Sequence, residues 1–217
     1  TVVPDVALVD PETTLSMDPY LTACTGMDTL THAIEAYVST ACSPIVDVHA
    51  LAAIRLVSGN LEQAVLAPAE LPARENMMLA SLQAGLAFSN ASLGAVHAMA
   101  HSAGGFLDLP HGECNALLLE HVVRFNMTAA PERYRQVAEA MGIDTRGMDA
   151  KTVTVRVTEA LANLRRRVGI ADGLAARGVR VADLPELARH AVKDACVFTN
   201  PRNVNTSDAQ AIYGEAL

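Results

Sequence analysis

Between Glu75 and Asp108 the chain carries no lysine, arginine, aspartate or glutamate, yet the segment is not uniformly apolar. It contains Gln83, Asn90, several serines, Gly85, Gly94 and Gly104, and the imidazoles of His97 and His101, with His111 just beyond. A lipid-facing helix rarely carries that polar load, so the run reads as a buried helical hairpin rather than a membrane span. The spacing predicts helices from Arg74 to Phe88 and from Ala91 to Ala103, with Gly104, Gly105 and Pro110 turning the chain before a further helix near Gly112 to Phe125.

The rest of the chain reads as helix as well. Asp18 followed by Pro19 is a cap and a first-turn proline, opening a helix to about Ser39, and Pro44 opens another to about Val65. Pro131 to Met141 is a short helix closed by Gly142 at C′. Val153, Val157, Leu161, Leu164 and Val168 keep one apolar face through the next, with the basic triplet Arg165, Arg166 and Arg167 on its wet side. Asp183 is expected to cap the following helix, with Pro185 in its first turn. Ser207 and Gln210 suggest a capping box for a last helix to Leu217. Only "TVVPDVALVD" at the front is β-branched and extended in character. The reading is one mostly α, multi-helix domain over 1–217, with 1–17 as a short extended hinge or strand segment.

The chain has 217 residues, enough to bury roughly 70–75% of its unfolded surface in one compact domain. A net charge of -8 and no larger basic cluster argue against nucleic acid or an anionic membrane as partner. Cys24, Cys42, Cys114 and Cys196 form no CxxC pair and read as reduced, mostly buried small hydrophobes. With no signal peptide in the sequence, they predict a cytoplasmic protein.

The histidines carry the chemical signal. Asp28 and His32 are four apart on one predicted helix, and His97 and His101 four apart on another, so each pair shares a face. With His111 after the turn, three imidazoles and a carboxylate can converge on one divalent cation from three elements. Asp28 taken alone is also compatible with a cap after Gly26, and His49, His121 and His190 read as structural or exposed. A buried histidine in an uncharged segment is costly unless hydrogen-bonded or ligated. Spacing alone leaves both a metal site and a set of satisfied core histidines open.

"GMDTLTHAIEAY", "GAVHAMAHSAGG" and "PHGECNALLLEHVVRFN" resemble blocks of the iron-containing (group III) alcohol dehydrogenases. "VALVDPETTLSMDP" is similar to the strand entering that family's helical domain, and "NPR" with the final helix to its C-terminus. The resemblance implies the C-terminal, metal-binding helical domain of the dehydroquinate synthase-like fold. It implies Asp28, His32, His97 and His111 as metal ligands, and His101 as a catalytic, nicotinamide-side residue that acts from outside the metal's ligand set or in a proton relay. Fe(2+) is the implied ion, with Zn(2+) the alternative, and the nucleotide is NAD or NADP. The implied reaction is that of an alcohol dehydrogenase or aldehyde reductase on a small alcohol or aldehyde.

The sequence departs from the family in having no glycine-rich phosphate turn, its one adjacent glycine pair being Gly104-Gly105. The expectation is a chain that resembles the metal-binding half of a longer enzyme. Its partner would be an N-terminal nucleotide-binding domain, and the face meeting that domain would favour self-association into a homo-oligomer. Two other functions fit the same residues. A dehydroquinate synthase-like lyase would need basic groups for a phosphorylated, carboxylated substrate, and none stands between Arg74 and Arg124. A non-catalytic helical metal-binding module is the other. Met27, Met99, Phe106 and Leu107 are candidates for a substrate pocket, although methionines at helical spacing more often belong to a core.

Overall fold

Asp18 does what its place before Pro19 predicts. Its carboxylate accepts hydrogen bonds from the amides of Tyr20 and Leu21 and starts helix α1, Pro19–Val38. In the computed structural model, which describes residues 6–217, eight further helices follow. They are α2 (Pro44–Leu66), α3 (Leu71–Ala91), α4 (Ala95–Leu107), α5 (His111–Asn126), α6 (Pro131–Ala140), α7 (Ala150–Arg167), α8 (Leu184–Ala191) and α9 (Thr206–Glu215). No strand occurs among the described residues.

α1 lies at the centre, packed on α2, α3 and α5, with Ala23, Met27, Leu30, Ala33, Ala36 and Tyr37 all buried. Small residues let its neighbours come close. In α3 the buried positions are Ala73, Ala80, Ala84, Ala87 and Ala91, besides Arg74. At Gly112 in α5 a Cβ would lie 2.4 Å from the Cys24 carbonyl oxygen, so this glycine sets the approach of α5 to α1 beside Asp28. α4 packs between α5 and α8, α9 rests on α8, and α7 covers α5 and α6. No described helix is long and apolar enough to cross a membrane.

Several sequence expectations change. The described part of the front segment, residues 6–10, forms no strand and pairs with no strand among the described residues, and Val6 and Leu8 face solvent. A strand needs a ladder partner, and here the chain passes directly into a 3-10 turn at Pro11–Thr14 capped by Asp10. Residues 1–5 lie outside the described part.

The hairpin breaks three residues later than its small side chains suggest. α3 runs to Ala91, Ser92 adopts a positive φ of 60°, and α4 begins at Ala95. Gly104 and Gly105 stay inside α4, and Asp108 ends it in the left-handed conformation. Asp183 precedes α8 but gives it no side-chain bond. Its carboxylate instead binds the Arg180 amide and guanidinium. The capping box of α9 is Asn205 with Asp208, two residues earlier than expected. Arg165 is buried rather than wet, bonded to Glu120 and to the carbonyls of Ile170, Ala171 and Asp172.

Candidate metal centre

The N-terminus of α4 is built to hold one imidazole. Its cap, Gly94, supplies no side chain, and the first free amides go to other parts of the chain. The Ala95 amide donates to Asn200 Oδ1 at 3.1 Å and the Val96 amide to Glu35 Oε1 at 2.6 Å. The second oxygen of buried Glu35 sits 2.6 Å from Nδ1 of His97. A carboxylate only accepts, so Nδ1 carries the proton and Nε2 is left facing Asp28.

His32 is oriented by the helix it belongs to. Its Nδ1 donates to the Asp28 carbonyl oxygen at 2.8 Å, one turn back, so its Nε2 is also free. Asp28, His97 and His111 converge: Nε2 of His97 lies 3.6 Å and Nε2 of His111 3.5 Å from Asp28 Oδ1. One donor atom from each lies within 4.8 Å of the others. His32 stands beside this trio, its ring 4.3 Å from that of His97 and 4.6 Å from Phe88. His101 lies apart from the trio's donor atoms. Its ring stacks on His111 at 5.2 Å, and its Nδ1 meets Asp194 Oδ2 at 2.8 Å on the rim.

Asn115 marks the centre of the cluster. Its amide nitrogen lies 2.5 Å from Asp28 Oδ1, 3.0 Å from His111 Nε2 and 3.2 Å from His97 Nε2, while its own oxygen is buried without a partner. Asp28 Oδ1 and His111 Nε2 turn lone pairs inward to a partly positive group, as His97 Nε2 does once its ring is neutral. This donor set suits a divalent cation, with nitrogen ligands, one carboxylate and an outer carboxylate locking a ring.

The electrostatics agree. Burial alone would raise the Asp28 carboxyl, but attraction to His97, His32 and His111 outweighs it and holds Asp28 below the usual carboxylate range. Burial disfavours a charged His97, yet Asp28 and Glu35 on either side overcome it and push its pKa up to about 9. Burial first, and the neighbouring His97 second, depress His32. His111 is depressed chiefly by burial, partly offset by Asp28.

Residues 22–217 match the family described as the Fe-containing alcohol dehydrogenase family, C-terminal. The chain belongs to the iron-containing alcohol dehydrogenase family. It is 47% identical over 214 residues to the 1,3-propanediol dehydrogenase of Citrobacter freundii, covering 99% of this chain and 55% of that one. Its fold superimposes on a crystal structure of a 1,3-propanediol oxidoreductase with a TM-score of 0.94 at 45% identity, covering 96% of this chain and 55% of the other. It also matches the sulfoacetaldehyde reductase of Bifidobacterium kashiwanohense in complex with NAD+, with a TM-score of 0.88 and 32% identity, over 98% and 54% of the two chains. The chain therefore spans about half the length of the relatives it matches, and its helical fold is that family's C-terminal domain.

Sequence reasoning overlooked four residues of this centre. Glu35 is seven residues after Asp28 and Asn115 four after His111, so helical periodicity places each on its partner's face. Asp194 and Asn200 come from the far end of the chain; Asp194 carries no local signal, and Asn200 opens the NPR stretch without any sign of its contact with α4. Met27 and Met99 are core, whereas Phe106 lines a cavity of about 270 Å³ with His101, Leu187 and His190. Leu107 packs against the core from its edge. His49 pairs with Gln83, His121 lies near Glu120 and Glu215, and His190 is exposed. The cysteines are free, with Cys24 and Cys114 buried and Cys42 and Cys196 half-buried.

Proposed function

We propose that this chain is the metal-holding, catalytic half of an NAD-dependent alcohol dehydrogenase or aldehyde reductase acting on a small, weakly charged alcohol or aldehyde. The reading rests on one observation: Asp28, His97 and His111 turn their free donor atoms to a single point around Asn115. With His32 beside them they form the ligand set, and the family's iron makes Fe(2+) the first choice of ion. The complex of the related sulfoacetaldehyde reductase with NAD+ favours NAD as the nucleotide. The nucleotide-binding region would be a separate segment docked against the rim where His101 stands.

When bound, the ion supplies Lewis-acid polarisation of the substrate oxygen, and NAD supplies the hydride acceptor. The chain's own groups do the rest. Glu35 and the Asp28 carbonyl fix the tautomers of His97 and His32, so the ligand nitrogens need no reorganisation. The uncharged stretch from 76 to 107, in α3 and α4, lowers the polarity around the cluster and strengthens the local field. His101, half-exposed with Nδ1 on Asp194, keeps Nε2 available to pass the alcohol proton towards solvent. A phosphorylated, carboxylated substrate is disfavoured, because the polar partners of the cluster are carboxylates, an amide and backbone carbonyls rather than basic groups.

Elemental analysis of the purified 217-residue chain is expected to find about one iron per chain, lost on His97→Ala or His111→Ala. The chain alone is expected to show no robust NAD-dependent alcohol oxidation, and to gain it when joined to a nucleotide-binding half from a relative. Iron retained by both variants would overturn the ligand assignment, and turnover by the isolated chain would overturn the division of labour.

A further inference from the structure

A second group of donor atoms stands beside the first. His101 on α4, Asp194 and Cys196 each offer one donor atom, all within 4.8 Å of one another. Asp194 comes just before a 3-10 turn, Ala195–Thr199, and its Oδ1 accepts the Cys196 amide at 2.8 Å. Its Oδ2 meets His101 Nδ1 at 2.8 Å. The carboxylate is thus fixed between imidazole and thiol by two bonds. The group is reachable, with the His101 side chain 43% and the Asp194 side chain 24% exposed, next to the cavity walled by Phe106 and Leu187.

We propose that His101, Asp194 and Cys196 form a second cation site that takes a borderline-soft divalent ion such as zinc. One imidazole, one carboxylate and one thiolate leave a position open for water, the composition of a three-ligand zinc site. Tetrahedral zinc sets such donors about 3.4–3.7 Å apart, so the imidazole and carboxylate, 2.8 Å apart, open slightly as the ion enters, an adjustment that side-chain rotation supplies. The thiol of Cys196 is held protonated, to about 12, by burial and by its hydrogen bond to Asp194. The entering ion therefore replaces that proton, which leaves for solvent, the Nδ1 proton of His101 passes to Nε2, and the site becomes neutral. The thiolate sets it apart from the Asp28 cluster, which contains no sulfur and suits iron.

The consequence rests on the reading of His101 given above: an ion here holds that imidazole on Asp194 and Cys196 and removes it from proton transfer. Zinc at this site acts as an inhibitor, while the ion at Asp28 serves the reaction.

Cobalt(II) is the probe, because thiolate ligation gives it a charge-transfer band in the near ultraviolet that imidazole and carboxylate do not. The reduced, metal-stripped 217-residue chain is expected to take two equivalents, one without the band and one with it. Cys196→Ser removes the band and the second equivalent, whereas Cys42→Ser leaves both. Asp194→Asn, which keeps an acceptor for the Cys196 amide, weakens the second equivalent by about tenfold or more. His111→Ala removes the first equivalent and spares the band. A saturated chain without the band, or a band that survives Cys196→Ser, overturns this proposal and leaves the Asp28 assignment standing. A band with no sulfur-free equivalent beside it overturns the dehydrogenase reading instead.

Discussion

Glu35 is the residue on which the geometry of the centre turns. It is buried, bridges the Val96 amide and His97 Nδ1, and forces the tautomer that leaves Nε2 of His97 bare. Glu35→Gln cannot do both. An amide offers one oxygen and one N–H group, so either the Val96 amide or the His97 ring meets a donor. The expected result is a metal affinity about 10–100-fold lower, measured by competition with a chelator, and a stability loss of about 1–3 kcal/mol in urea unfolding. An affinity unchanged in Glu35→Gln would show that His97 holds its orientation without the carboxylate. Asp28 differs: its spacing to His32 marks it as a candidate, beside the reading as a cap after Gly26, without any distant partner.

At the scale of elements, the start of α4 decides more than its interior. The helix positions His97 in its first turn, where the amides of Ala95 and Val96 are tied to Asn200 and Glu35. A Cβ at Gly94 would lie 2.8 Å from Glu35 Oε1 and 2.9 Å from Asn200 Oδ1. Neither neighbour can swing away without leaving an amide or His97 unpaired. Gly94→Ala is therefore expected to loosen iron binding as Glu35→Gln does, although residue 94 touches no ligand atom; calorimetric titration with iron(II) checks it, and parental affinity would refute it. Periodicity foretold α1 and α2 nearly to the residue, because Asp18, Pro19 and Pro44 act on their own neighbours. It misplaced the break between α3 and α4, because small residues run through it. What ends α3 and starts α4 is the fit of Gly94 against α1 and the Asn200 loop.

For the whole molecule, the centre and the surrounding charges act together on metal uptake. With Asp28 and Glu35 on either side, His97 titrates near 9 in the metal-free chain, against 6.5 ordinarily. Its raised value stabilises the metal-free fold fully below pH 6.5, and that contribution is lost as pH rises through 9. A bound ion requires the neutral ring, so between these limits binding expels a proton and its apparent affinity climbs with pH, by up to about tenfold per unit. Calorimetry in buffers of different ionisation enthalpy is expected to count about one proton released per ion at pH 7.5. No release at that pH would mean that His97 is not the site of exchange.

The helical class, the uncharged hairpin and the four-residue spacings of Asp28 with His32 and His97 with His101 were legible because each is a relation between neighbours along the chain. The family blocks were legible for the same reason. The pairing of Glu35 with His97 spans 62 residues, that of His101 with Asp194 spans 93, and that of Asn200 with Ala95 spans 105. Which imidazole nitrogen is free, where α4 begins, and that Cys196 stands beside His101 all follow from those long-range contacts. Tertiary packing brings them together, and no local pattern of side chains encodes them.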